Sequence, residues 1–145
     1  MANLIPNAFK GELLSGTHNF SSGGNDFKLA LYTGSISSTY TTSTTTYQTN
    51  NEVSTANSSN YTTTGKVLQN QSVTTGATSF VDFDDLTFQN ASFSATYGAI
   101  YNDTNGDKLC VVLDFNGSKT ATNGDFKIVF PATGTPGNAI ISVTS

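Results

Sequence analysis

The chain has 145 residues, a net charge of −4, 11% charged residues, one His, one Cys and no Trp. That length fits a single domain spanning 1–145 with a real core, and one Cys cannot form an internal disulfide framework. The scarcity of Lys and Arg argues against a nucleic-acid partner, no stretch approaches a membrane span, and the N-terminus lacks the basic start and apolar run of an export signal.

In chain order, residues 1–16 read as an N-terminal helix or arm. Pro6 or Asn7 can open a short amphipathic helix in which Phe9, Leu13 and Leu14 share one face, with Gly16 as a stop. Residues 21–25 (Ser-Ser-Gly-Gly-Asn) form a turn. Residues 27–33 alternate Phe27, Leu29 and Leu31 against Lys28, Ala30 and Tyr32, a strand with one strongly apolar face. Residues 34–64 form a long Ser/Thr/Tyr-rich loop with no period of 2 or 3.6, a single charge at Glu52, and a helical turn near 51–55. So long a loop inside a domain points to function or to ordering by a partner. Tyr40, Tyr47 and Tyr61 are its interaction candidates, because a phenol packs through its ring and bonds through its hydroxyl.

Strand signals return at 66–71, 79–83 and 84–88, with a turn at 74–76 between the first two. Residues 93–101 and 108–115 flank a polar turn centred on Asn105-Gly106, the clearest hairpin of the chain. Asn116-Gly117 and Asn123-Gly124 bracket a further loop, and strands at 125–130 and 139–143 complete the pattern. Short strands with regular turn signals predict an all-β fold, an antiparallel, jelly-roll-like β-sandwich with one short N-terminal helix.

Few residues can carry chemistry. Asp103, Asn105, Asp107 and Asp114 have the spacing of oxygen ligands in a calcium loop. Lys108 stands where that loop needs Gly and a strand follows, so a polar hairpin turn is the expectation. Asp82, Asp84 and Asp85 form the densest acidic cluster, which reads as a solvated strand end rather than a glycosidase pair. His18 has no marked partner, and Cys110, set among Leu109 and Val111–Leu113, reads as a buried, unreactive thiol. No catalytic group, cofactor or metal is expected.

The succession of segments carries one further indication. Pro6-Asn-Ala-Phe-Lys10 with Leu13-Leu14 precedes Phe27-Lys-Leu-Ala-Leu-Tyr-Thr33. Asn51-Glu-Val53, Tyr61-Thr-Thr-Thr-Gly65-Lys-Val-Leu68 and Phe83-Asp-Asp-Leu-Thr-Phe88 come next. Ala91-Ser-Phe-Ser-Ala-Thr-Tyr-Gly-Ala-Ile-Tyr101-Asn-Asp and Asp114-Phe115 close the series. This ordering, over nearly the whole chain, resembles small virion structural proteins of tailed bacteriophages. Phe88 lies in a segment where many relatives carry a Trp. The resemblance implies a non-enzymatic, multi-copy component of the virion, assembled in the host cytoplasm. Such a protein decorates or cements the capsid by bridging major capsid subunits, or serves as a tail or neck ring, adaptor or fibre-attachment protein. Its partners would be the major capsid protein or tail and neck proteins, with self-association. A carbohydrate-binding adsorption module is the alternative from another class. Docking is expected at Phe9, Leu13 and Leu14 of the helix or at Tyr40, Tyr47 and Tyr61 of the loop.

Overall fold

The computed structural model describes residues 3–131 and 139–145. Helix α1 (Asn7–Leu14) is followed by strands β1 (Phe27–Tyr32), β2 (Lys66–Val67), β3 (Ser72–Thr74), β4 (Thr78–Asp82), β5 (Leu86–Asn102), β6 (Lys108–Ile128) and β7 (Ile141–Thr144). They form two antiparallel sheets, a four-stranded one ordered β2-β1-β5-β6 and a three-stranded one ordered β3-β4-β7. Phe27, Leu29, Leu31, Ile100 and Val111 of the large sheet meet Val81 and Ile141 of the small one in a single core, so the all-β sandwich holds. Phe27 stacks on Phe20 at 4.3 Å and meets Phe83 edge-on at 6.0 Å across the layers.

Strands β5 and β6 are longer than the sequence pattern predicts. The segments expected at 84–88 and 93–101 belong to one 17-residue strand, and those at 108–115 and 125–130 to one 21-residue strand. The Asn-containing breaks between them are irregularities in a continuous ladder. Register shifts lie between Phe88 and Ala91, Ala91 and Phe93, and Ala95 and Tyr97. Asn90, Asn116 and Asn123 take left-handed φ values of 51°, 54° and 47°. A left-handed residue absorbs an extra residue in a bulge just as it closes a turn, and the twist it adds bends the long strands. The strand expected at 66–71 is only Lys66–Val67, while β3 begins at Ser72 and runs into the expected turn.

Helix α1 is too short to be stable alone and is held by packing. Phe9 is buried and Leu13 packs against the core, four residues apart on one face. Leu14 departs from the expected shared face. It is 92% exposed, because a step of five residues rotates it well away from Phe9.

The central part of the large sheet, β1 with the adjoining ends of β5 and β6, is buried on both faces. Its second face carries Ala30, Tyr32, Tyr97, Ala99, Tyr101 and Val112. The loop of residues 34–64 covers that face and wraps the β1 edge, as a folded layer rather than an unordered excursion. Ile36 and Tyr40 reach into this second cluster, while Val53 and Tyr61 turn under the edge into the main core. Residues 51–53, expected as a helical turn, run along β1 instead. The Val53 N–H donates to Leu31 O at 2.9 Å, the Thr33 N–H to Asn51 O at 2.9 Å, and Glu52 bridges Tyr32. Gly65 crosses so close to β1 that a Cβ there would lie 1.9 Å from the Leu29 carbonyl oxygen. Among the described residues no helix is long and apolar enough to cross a membrane.

Candidate functional site

Two polar constellations dominate the structure, and neither is legible from local sequence. The first surrounds His18. The imidazole follows α1 and lies against the end of β5 and the start of β6. Its Nε2 is 2.9 Å from Glu12 Oε2, and Asn102 Nδ2 donates to its Nδ1 at 3.0 Å. The Asn102 orientation is set by two more contacts: its Oδ1 accepts the Asn105 N–H at 3.1 Å, and its Nδ2 donates to Asn25 Oδ1 at 3.0 Å. Nδ1 is therefore the acceptor, and the proton of the neutral ring sits on Nε2, facing Glu12. The other oxygen of Glu12 binds Lys108 Nζ at 3.0 Å. Burial raises the Glu12 pKa, but the hydrogen bonds from His18 and Lys108 outweigh it and hold the carboxyl below its usual range.

Cys110 Sγ lies 3.8 Å from His18 Nδ1. Thiol, imidazole and carboxylate are the donor set of a cysteine nucleophile. Here the geometry works against that chemistry. Both the Cys110 residue and the His18 side chain have 0% exposure. Asn102 already occupies Nδ1, and burial pushes the thiol well above its ordinary pKa, against thiolate formation. The bulge between Ile100 and Tyr101 turns Cys110 into the same core cluster as its neighbour Val111. What the node does is tie α1 to both long strands.

The second constellation is a tyrosine layer. Tyr32 stacks on Tyr97 at 5.0 Å and meets Tyr40 edge-on at 5.3 Å, while Tyr47 packs on Tyr101 at 4.7 Å. The hydroxyls are tied in sequence. Tyr40 bonds Tyr32 at 2.6 Å, Tyr32 donates to Gln48 O at 2.7 Å, and the Gln48 N–H returns to Tyr40 at 3.0 Å. Tyr97 donates to Thr39 Oγ1 and Tyr101 to Thr64 O. Glu52 gathers the rest: one oxygen accepts from Tyr61 at 2.7 Å and from the Thr64 N–H at 2.8 Å, and the other accepts from Tyr47. Tyr61 in turn accepts the Leu31 N–H at 2.9 Å. Burial raises the pKa of all six tyrosines, Tyr40 to about 12. No buried side-chain nitrogen or oxygen among the described residues lacks a partner.

These positions correct the expected docking residues. Phe9, Tyr40 and Tyr61 are buried and Tyr47 is half-buried against Tyr101, so they form the interior rather than a contact surface. Tyr40 and Tyr47 are drawn in by a second sheet face that needs covering, which a single-sequence pattern does not display, while Phe9 and Tyr61 pack into the main core. Leu13 is half-buried, and only Leu14 of the six is fully presented to solvent. Leu13 lines an apolar cleft of about 390 Å³ between α1 and the small sheet, with Phe20, Val73, Val81, Ile141 and Val143; among the described residues no acid, Lys or Arg lines it.

The acidic candidates are dispersed. Asp103, Asn105 and Asp107 lie in the β5–β6 turn, where Asp103 pairs with Lys28 at 3.0 Å and Asn105 donates to Thr17 O at 2.6 Å. Asp114 sits on β6 opposite Tyr97, and its backbone N–H donates to Asn3. The calcium spacing therefore does not close into a ligand set. Asp85 pairs with Lys127 at 2.9 Å and accepts the Phe130 N–H, and Asp84 accepts from Asn70. Among the described residues no group of three His, Cys, Asp or Glu side chains is placed to hold a metal ion.

None of the ten Phe and six Tyr rings is exposed. No family model matches the chain, and neither a curated protein nor a solved structure is significantly similar to it.

Proposed function

We propose that the protein is a non-enzymatic structural subunit of a tailed-bacteriophage particle, a capsid decoration or cement protein that bridges major capsid subunits. The observation that carries this reading is the inward commitment of the one imidazole, the one thiol, the tyrosine layer and Glu52. The imidazole and the thiol are sealed in a node that anchors α1, and the phenols and Glu52 hold a covering layer onto the sheet. Such an arrangement supports mechanical durability rather than turnover. The succession of segments from Pro6 to Phe115 supplies the phage assignment.

The contact with the shell is assigned to Leu14 and to the adjoining uncharged cleft rimmed by Val73 and Val143, the apolar side chains that α1 and the small sheet leave in water. Copies carrying few charges repel one another little and can crowd a repeated surface through many weak, wet contacts. The carbohydrate-binding alternative is disfavoured because no aromatic ring is fully exposed, Tyr47 and Phe115 being half-buried and the rest buried, whereas sugar platforms need an open ring face.

Quantitative mass spectrometry of purified virions, with a density map, tests the reading. Hundreds of copies spread over the shell support decoration, and loss of binding in Leu14→Lys places the contact. A dozen copies at one vertex move the protein to the tail or neck, and absence from particles overturns the proposal.

A further inference from the structure

Three Asn-Gly pairs lie among the described residues: Asn105-Gly106, Asn116-Gly117 and Asn123-Gly124. Asn-Gly is the dipeptide in which an asparagine side chain is most open to attack by the following backbone nitrogen, because glycine adds no Cβ to obstruct the approach. The structure treats the three differently. The Asn105 carboxamide is fastened, donating to Thr17 O at 2.6 Å and to Asn25 Oδ1 at 3.3 Å, while its N–H donates to Asn102. Asn123 is clamped by Ser92, whose hydroxyl donates to its Oδ1 at 3.2 Å and accepts its N–H at 3.0 Å.

Asn116 has neither restraint. Its N–H donates to Asp114 Oδ1, but its carboxamide takes no hydrogen bond among the described residues. It is exposed and left-handed at φ 54°, and Gly117 follows at φ 107°. Residues 115–118 lie between the Lys119 and Asp114 pairings and have no register partner on β5. Nothing lies within 4 Å of the Cβ position at Gly117, so the peptide has room to swing.

We propose that Asn116 is a site of spontaneous deamidation, through which the folded protein ages into a more acidic form. The Gly117 backbone nitrogen attacks Asn116 Cγ, forming the N–Cγ bond of a five-membered succinimide. The Cγ–Nδ2 bond breaks and ammonia leaves with the proton given up by the Gly117 nitrogen. Water then adds to one of the two ring carbonyls. Opening on one side gives Asp, and opening on the other gives isoaspartate with one extra backbone methylene. The net change is one water consumed, one ammonia released, and one negative charge added to a chain that carries −4. The site lies in a bulge of an edge strand, and neither Asn116 nor Gly117 belongs to a core cluster, although the neighbouring Phe115 packs against the main one, so the altered backbone is accommodated without unfolding.

The test is timed incubation of the purified native protein near neutral pH, followed by peptide mapping with isoaspartate detection. The expected result is a mass gain of about 1 Da at Asn116, appearing at least about tenfold faster than at Asn105 and ahead of Asn123, a ratio equal to roughly 1.4 kcal/mol in barrier. The same three sites converge in rate in denaturant, and Asn116→Gln abolishes the dominant acidic species on isoelectric focusing while the chain still folds, with a melting point lowered by only the few degrees that a left-handed Gln costs. Equal rates at Asn116 and Asn105 in the native protein, or an unmodified Asn116 under conditions where the denatured chain reacts, overturns the proposal.

Discussion

Raising the pH through the tyrosine range attacks the covering layer directly. An unfolded tyrosine ionises near 10. In the fold, burial raises Tyr40 to about 12, against the opposing hydrogen bonds from Tyr32 and Gln48. Burial also raises Tyr32, reinforced by Tyr40, and Tyr61, reinforced by Glu52. All three rings are almost wholly removed from water. Because each folded value lies above the unfolded one, the stabilisation is complete below about pH 10 and is lost as the pH climbs toward the folded values. Near pH 11 each of these three residues has withdrawn about 1.4 kcal/mol, roughly 4 kcal/mol together, from a total stability on the order of 5–15 kcal/mol. The assay is tyrosinate absorbance and far-ultraviolet circular dichroism on the same sample as the pH is stepped upward. The expected result is a steep transition in which both signals move together and more than one phenolic proton leaves per molecule. Tyr40→Phe removes one ionising group and lowers that proton count by about one. Six tyrosines titrating gradually around pH 10 with the circular dichroism intact would refute the reasoning, since the phenols would then be reaching water in the native state.

Gly65→Ala forces a Cβ into the Leu29 carbonyl at a residue with φ 75°, so a loss of more than about 3 kcal/mol is expected by denaturant unfolding; a melting point near that of the parent contradicts the close approach of residue 65 to β1. Tyr61→Phe strips a partner from the buried Leu31 N–H and from Glu52, which should lower stability by about 1–3 kcal/mol. An unchanged denaturation midpoint in that variant would show that water replaces the hydroxyl. Cys110 should resist an aromatic disulfide reagent in the native protein and react only as fast as the chain unfolds; rapid native labelling would mean that the His18 node opens.

The class of fold was determined by the sequence alone. Alternation at Phe27, Leu29 and Leu31 and the apolar run from Leu109 to Leu113 specify strands whatever surrounds them, because a pleated strand sends successive side chains to opposite faces. The Asn105-Gly106 hairpin was legible for a similar reason, since its turn residues accept backbone conformations that others resist. The low charge and scarce reactive groups likewise came from composition. Three things were decided only in three dimensions. Asn116 and Asn123 look like loop signals in sequence, and become bulges because the strands on either side of each keep the same partner; the local left-handed geometry is common to both outcomes. Tyr40, Tyr47 and Tyr61 follow no period, because a loop that covers a sheet does so through single anchors at irregular spacing. Glu12 and His18 meet Asn102, Lys108 and Cys110 only after about ninety intervening residues have folded, and no local pattern encodes a contact made by long-range strand pairing. Secondary structure follows from forces between near neighbours in the chain, whereas burial follows from which surfaces meet, and that is a property of the assembled sheets.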